Sequence, residues 1–469
     1  MYADLQFIKE TNDNNGFAKI TATGLSMAFL NLYILTYNCA REPIDNQAVA
    51  SQLFDGLCGS SPPDLVVVSL QEIAPISASF IGGSFLVPRF ARFQDAVNDA
   101  AEKISGGPYT TIAARHVGMT ALMVFARDPD TILGIETAGV SFGLWDMGNK
   151  GAVGIRILYG DVDSAGSKAT ELTFVSAHLA AMESELARRN EDWKCLVRGL
   201  VFSSTSQERT GNATTLSASA DTDEQPLLSI SPRAASIYRP TSHLFVAGDL
   251  NYRTSIFNPS PEDLETNFPQ PGQNLNSPKH YLNLLNNDQL NQERLAGRTC
   301  HGLIEEPVTF PPTYKYTNDG PFLVPDRDIS EWKWAKHRWP SWCDRILYLD
   351  VPPWLKRQEP DAKITVQKYT ALPLFPTSDH RAVTLSLTVP LVSIPSPSDE
   401  DAESLDPRIT PPYDIDPDWK PKRERARALE LIVGYVSYFT TTRDGGAIAL
   451  ATIGGFVGGF FLLKALFDL

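Results

Sequence analysis

The chain has 469 residues, with 41 Lys+Arg against 55 Asp+Glu and a formal net charge of −14; that surplus of acid excludes a general nucleic-acid coat, whose affinity comes from neutralising phosphates with Lys and Arg. With 43% hydrophobic and 20% charged residues, there is ample chain for a large core, and a disordered or collagen-like polymer is excluded. Five cysteines without a C-x-x-C pair exclude a disulfide framework and a zinc ribbon and indicate a reducing compartment.

At the N-terminus, Asp4 and Glu10 stand where a secretory signal would carry a basic and then an apolar run, so no N-terminal targeting signal is expected. From about 31 to 204, β-rich apolar runs at 32–36, 65–70, 121–125 and 173–176 alternate with helix-like stretches such as 182–198, the pattern of an α/β sheet protein. Residues 203–236 turn to Ser, Thr, Ala and Asp and read as a disordered insertion, because they carry too little apolar surface to order themselves. The strand pattern resumes at 243–247, 345–349 and 382–389, so one folded unit, 1–390, lies on both sides of the insertion.

Residues 391–421 are Pro-rich and acidic and read as a solvated linker. Between Ser398 and Trp419 there are eight acids and one base, so half of the net −14 belongs to this stretch. Residues 422–444 form a basic, amphipathic juxtamembrane segment. The nineteen residues 445–463 carry no charge; as a helix they span about 28 Å, close to the roughly 30 Å of a bilayer core. Lys464 can snorkel. Residues 445–467 are therefore expected to be a C-terminal transmembrane tail anchor that leaves the bulk of the chain in the cytosol, with the endoplasmic reticulum as the expected membrane.

Polar residues gather where the apolar runs stop: Asn38, Gln71-Glu72, His178, Asp249, Asn251, Asp344 and Asp379-His380. In open sheets, ligands collect at such ends, since strands hold the side chains rigid while loops aim them. A set rich in oxygen, with few His and no Cys, suits a hard ion such as Mg²⁺, which fills its remaining positions with water and phosphate oxygens. Such an ion polarises a phosphoryl oxygen while a nearby carboxylate orients or deprotonates water for in-line attack. The residues alone thus point to metal-assisted hydrolysis of a phosphate ester.

The motifs FVAGDLNYR (245–253) and RWPSWCDRIL (338–347) resemble the two signatures of the inositol polyphosphate 5-phosphatase family. LTYN, PDLVVVSLQEI, GNKGAVGIRI, SAHLAAMESELARRNEDW, FPPTYKY and TSDHRAV are similar to further family segments in order and spacing. The resemblance runs from about 31 to 389 and implies a four-layer α/β sandwich shared with Mg²⁺-dependent endonucleases. It implies that Glu72, with Asn38, holds Mg²⁺, that Asp249 activates water, and that Asn251 positions water and phosphate. His380, oriented by Asp344, would stabilise charge on the scissile phosphate, Asp379 would complete the polar shell, and His178 would be a further phosphate contact. Tyr314, Lys315 and Lys336 match the family's grip on the phosphate next to the one removed, with Arg345 and Lys150 as supporting cations. Tyr37 replaces the usual Trp before the first Asn, a change of packing more than of chemistry.

The expected activity is removal of the 5-phosphate from a phosphoinositide, phosphatidylinositol 4,5-bisphosphate first, at a cytosolic membrane face. Alternatives are a soluble inositol polyphosphate 5-phosphatase, a same-fold Mg²⁺-dependent nuclease, and a non-catalytic membrane adaptor. The partners expected are the lipid substrate and the membrane, with no nucleic acid. Trp332 and Trp334 are expected as exposed aromatics that dip into the membrane interface.

Overall fold

Alternating β-branched and aliphatic residues build two six-stranded sheets in the computed structural model, which describes residues 27–467 apart from 56, 58–60, 105, 161–168 and 205–231. The first sheet contains β1 (Phe29–Asn38), β2 (Leu65–Gln71), β3 (Thr110–Val117), β4 (Thr120–Ala126), β11 (Thr365–Ala371) and β12 (Val383–Pro390), in the order β11-β12-β1-β2-β4-β3. The second contains β5 (Ile132–Ser141), β6 (Gly151–Tyr159), β7 (Thr170–His178), β8 (Ser203–Ser204), β9 (Ser242–Asp249) and β10 (Asp344–Tyr348), in the order β10-β9-β7-β6-β5-β8.

The sheets pack face to face. Leu32, Ile34 and Val67 of the first meet Ile155, Phe174 and Phe245 of the second in one buried cluster. Residues one position along each strand point the other way: Tyr33, Val66 and Val68 pack beneath α1 (Asn46–Gln52) and α3 (Val87–Lys103), while Val175, Leu244 and Val246 pack beneath α4 (Leu186–Gly199). Both faces of the central strands are therefore apolar, which is why they read as continuous hydrophobic runs. The result is the expected four-layer α/β sandwich.

Two expectations about the chain's texture change. Most of the insertion at 203–236 lies outside the described residues, but its ends are structured: Ser203–Ser204 pairs with β5, and Ala235 and Ser236 are buried. The stretch 391–421 is not a solvated tether. Ile394 and Ile409 join Val351, Trp354 and Leu355 in a satellite core, and buried Arg408 pairs with Asp406 and donates to the Asp350 carbonyl. Scattered apolar residues among prolines were enough to bury the segment against a neighbouring surface.

The basic segment lies on the domain. It forms α5 (Trp419–Thr441), whose buried residues Ala426, Glu430 and Gly434 recur every fourth position and form one stripe against the domain. That stripe packs on α2 (Ile76–Ile81), the short helix that follows β2. Helix α6 (Arg443–Phe467) follows directly. Its 18-residue apolar window has a mean hydropathy of 2.0 and is 0% buried, so it is long and apolar enough to cross a membrane.

Candidate active site

Sheet register brings the site together. β9 runs parallel to β7 with Asp249 beside His178, and antiparallel to β10 with Asp249 beside Asp344. Three strand ends thus place His178, Asp249 and Asp344 in one row. In the facing sheet, β1 and β2 end level at Asn38 and Gln71, with Glu72 next. The two sheets meet where Asn38 Nδ2 donates to Asp249 Oδ2 at 2.9 Å.

Asp249 is buried and sits 3.3 Å from His178 Nε2, and it accepts the Asn251 backbone N–H through its other oxygen at 3.1 Å. Burial alone would raise its pKa. The hydrogen bond and charge of His178, with His380 and Lys150 nearby, outweigh burial and hold the carboxyl well below the usual range. His178 is pushed down by burial and then by Lys150, whose ammonium touches Nε2. Lys150 is itself lowered, chiefly by desolvation.

His380 has the opposite balance. Burial opposes its charge, but Asp344, Asp249 and Asp379 face it and raise its pKa to about 9. Its Nδ1 lies 2.9 Å from Asp344 Oδ2, which also accepts from the Thr313 hydroxyl at 2.7 Å. Nδ1 is fixed in this way, and Nε2 lies 3.9 Å from Asp379 Oδ1. Ser378 locks the loop to the site by donating to the Asn38 carbonyl at 2.7 Å and accepting the His380 N–H at 3.0 Å.

Glu72 and Asn251 both have positive φ, 47° and 56°. Asn tolerates that region, but for Glu it is sparsely populated and persists where surrounding contacts enforce it. Here the Glu72 carbonyl accepts the Arg41 N–H at 2.7 Å, and its carboxylate pairs with Arg41 at 3.0 Å.

A cationic wall flanks this centre. Lys315 pairs with Asp379, and the Tyr314 ring lies 4.5 Å from the His380 ring between centroids. Lys336 is exposed; its neighbour Ala335 donates to the Lys315 carbonyl at 2.9 Å, so the two lysines lie on paired backbone segments.

Several expected residues lie elsewhere. Arg345 is fully buried and pairs with Asp288 at 3.0 Å and with Glu305; it points out of the row that Asp344 begins, because adjacent strand residues face opposite ways. Gln71 turns inward to Ser69 and Ser176 between the sheets. Trp332 and Trp334 are buried with Phe268, Tyr316 and Leu374, and Trp334 Nε1 donates to the Pro269 carbonyl at 2.7 Å. They cannot meet a membrane.

Sequence reasoning also passed over Arg253, although it closes the FVAGDLNYR motif. It is buried, bonds the Asn251 side chain, and stacks 4.4 Å over the Tyr314 ring. Its Nη1 has no hydrogen-bond partner among the described residues, so it is a buried donor facing the same centre.

The donors present suit a hard cation. Asp249 and Asp344 bring carboxylate oxygens within 4.8 Å of one another, beside the His380 ring, which carries a proton and so offers no lone pair to a cation. Asp344 Oδ1 is buried without a hydrogen-bond partner among the described residues, and Glu72 adds a partly exposed carboxylate. Oxygen ligands of this kind favour Mg²⁺ or Ca²⁺ over zinc.

Comparison with known proteins agrees with this geometry. The profile of the Endonuclease/Exonuclease/phosphatase family 2 matches residues 35–386. Inositol-1,4,5-trisphosphate 5-phosphatase 1 of Schizosaccharomyces pombe is 27% identical over 78% of this chain and 28% of its own length. Polyphosphatidylinositol phosphatase INP53 of Saccharomyces cerevisiae is 30% identical over 61% of this chain and 21% of its own. The chain therefore spans less than a third of the length of these relatives. Among solved structures, the inositol polyphosphate 5-phosphatase domain of SPsynaptojanin, in complex with inositol (1,4)-bisphosphate and calcium ion, superposes with a TM-score of 0.54 at 23% identity, covering 86% of this chain and 93% of that one. The fold is shared with that domain, and the resemblance carried by the sequence motifs holds.

Proposed function

This chain belongs to the Endonuclease/Exonuclease/phosphatase family 2, and from that premise we propose that it is a Mg²⁺-dependent phosphoinositide 5-phosphatase that converts phosphatidylinositol 4,5-bisphosphate to phosphatidylinositol 4-phosphate. The observation that carries the proposal is the row His178, Asp249 and Asp344 at three strand ends, with the raised-pKa His380 closing it and Lys315 beside it.

Asp249, ionised at any physiological pH, orients the attacking water and receives its proton as the new P–O bond forms. His178 and the Asn38 amide fix the carboxylate for that task. Protonated His380 donates from Nε2 to a phosphoryl oxygen and stabilises charge as the bond to the inositol oxygen breaks; that oxygen leaves with a proton taken from solvent water, and Asp249 returns the proton it received to solvent. Arg253 Nη1 and Asn251 supply further donors for the phosphate. Lys315, Lys336 and Tyr314 hold the neighbouring 4-phosphate by charge-assisted bonds. Glu72 and Asn38 are the residues we assign to Mg²⁺, which when bound polarises the phosphoryl oxygen.

A lipid substrate is favoured by α6 and by the outer face of α5, where Ile432, Tyr435, Val436 and Phe439 are exposed just before it. We assign α6 as a tail anchor at the endoplasmic reticulum membrane, testable with a fluorescent fusion to 422–469. The activity test is phosphate release from short-chain phosphatidylinositol 4,5-bisphosphate and from inositol 1,4,5-trisphosphate, and strand cleavage of single-stranded DNA followed by gel electrophoresis, each with and without Mg²⁺. The expected result is Mg²⁺-dependent release from the lipid that falls by about 10²–10⁴ in Asp249→Ala. Release that survives this substitution overturns the mechanism, and cleavage of DNA overturns the substrate class.

A further inference from the structure

The geometry points to Glu430, on the helix that leads to the apolar segment, as a positioning residue for the active site, an inference that rests on the phosphatase reading above. Glu430 is 0% exposed although it lies on α5, far along the chain from every proposed site residue. Its Oε1 accepts the backbone N–H of Gly148 at 3.0 Å. Arg423 and Arg427 neutralise it at 3.1 and 3.3 Å, and Arg427 also donates to the carbonyls of Phe80 and Ile81 at the end of α2.

Gly148 begins the turn that ends in Lys150, and Lys150 touches His178, which in turn holds Asp249. The far side of the same turn is also clamped: the Gly148 carbonyl accepts Met119 N–H at 2.8 Å, and the Met119 carbonyl accepts Ile73 N–H at 3.2 Å, one residue after Glu72. A Cβ at Gly148 would lie 2.7 Å from Gly118 and 3.0 Å from Glu430 Oε1, so only glycine permits this close approach. On α5, a Cβ at Gly434 would lie 3.0 Å from the Ile81 backbone nitrogen; glycine there lets the helix seat low enough for Glu430 to reach.

A buried carboxylate carries a desolvation cost that an apolar residue of the same size would avoid. Its partners here are a backbone N–H in the site-bearing turn and two guanidiniums on its own helix. Docking of α5 therefore fixes the direction of the Gly148 peptide, and through it the placement of Lys150 against His178. Catalysis is coupled to seating of the helix that precedes the apolar segment.

The test uses the full chain in detergent micelles with dioctanoyl phosphatidylinositol 4,5-bisphosphate and Mg²⁺, comparing wild type with Glu430→Ala, Glu430→Gln and Arg427→Ala. Both kcat and KM are measured, along with amide exchange of the 144–151 segment and of β1 and β9. The expectation is that Glu430→Ala lowers kcat about tenfold or more with KM changed less than about threefold, and that it accelerates exchange at 148–150 but not in β1 or β9. Glu430→Gln, which keeps an acceptor for Gly148, restores most of the rate. Arg427→Ala gives a smaller loss of the same kind, and decides the matter should Glu430→Ala not fold. Faster exchange at 148–150 with kcat and KM unchanged overturns the inference, as does a loss of rate accompanied by faster exchange throughout the core. A wild type that releases no phosphate from this lipid instead strikes the substrate reading, while unchanged exchange in Glu430→Ala still overturns the role given to Glu430.

Discussion

His380 Nδ1 and Asp344 Oδ2 lie 2.9 Å apart, both residues buried, with Tyr314 over the imidazole and the Thr313 hydroxyl on the same carboxylate oxygen. The carboxylate stands opposite Asp249 across the β9–β10 register, so the imidazole answers to two buried acids at once.

That pair sets the basic limb of the pH profile. With a folded value of about 9 against an ordinary 6.5, the proton on His380 favours the fold. Its contribution is fully present below about 6.5 and is lost as pH rises through about 9. Activity that requires the charged ring is expected to fall over the same upper window. Asp344→Asn removes the largest opposing influence to burial, and the basic limb of kcat/KM then moves down toward the ordinary imidazole range. An unmoved limb shows that His380 does not set it.

Lys336 is exposed and its side chain has no partner among the described residues, so Lys336→Met is expected to leave stability within about 0.5 kcal/mol. For a 4,5-bisphosphate substrate it raises KM about tenfold, the cost of one charge-assisted phosphate contact. For a substrate with only the 5-phosphate, KM stays the same. Equal effects on both substrates remove Lys336 from the neighbouring-phosphate grip.

Arg345 offers a contrast between stability and chemistry. Its guanidinium is enclosed by Asp288 and Glu305, and Arg345→Leu leaves two buried carboxylates without it. A loss of about 3–5 kcal/mol is expected in urea unfolding followed by tryptophan fluorescence. KM of the folded fraction is unchanged, because the side chain faces away from the site row. A raised KM without loss of stability argues for a substrate contact after all.

Truncation distinguishes the two C-terminal helices. A chain ending at Thr442 keeps α5 on Phe80 and Ile81, and is expected to leave the membrane fraction while retaining a cooperative thermal transition. A chain ending at Pro390 also loses Ile394, Ile409 and α5, uncovering Val351, Trp354 and Phe80; it is expected to aggregate or melt earlier by several degrees, at roughly 2–4 °C per kcal/mol for a domain of this size. Equal melting of the two chains shows that 391–441 adds nothing to the core.

The strand-end residues were legible because each follows or precedes an apolar run, so Asn38, Glu72, His178, Asp249 and Asp344 fall at the ends of β-strands whichever way the sheet is ordered. Their convergence depends on register, which the runs do not reveal. Arg345 misled because its partners Asp288 and Glu305 lie 57 and 40 residues upstream, and a basic residue inside a phosphate motif reads as a ligand. Trp332 and Trp334 misled because the surface that buries them, Phe268 and Leu374, comes from separate loops. The segment KPKRERARALE resembles a solvated flank, since the groups that receive it are carbonyls at the end of α2 and one amide in the turn at Gly148, all distant in sequence. Only the four-residue spacing of Ala426, Glu430 and Gly434 hinted at a contact stripe.

Helix α5 is seated on the domain from Arg423 as far as Tyr438, whose ring meets Phe85 at 5.3 Å, and α6 begins at Arg443. At about 1.5 Å per helical residue, the interval between seat and span is under roughly 10 Å. With α6 in a bilayer, as proposed above, the domain has no long leash on which to swing. For the lipid phosphatase proposed above, encounter is then a two-dimensional problem, with enzyme and lipid both diffusing laterally in one bilayer. Turnover is expected to follow the surface density of substrate in the enzyme's own membrane, and a neighbouring vesicle across even a narrow gap lies out of reach.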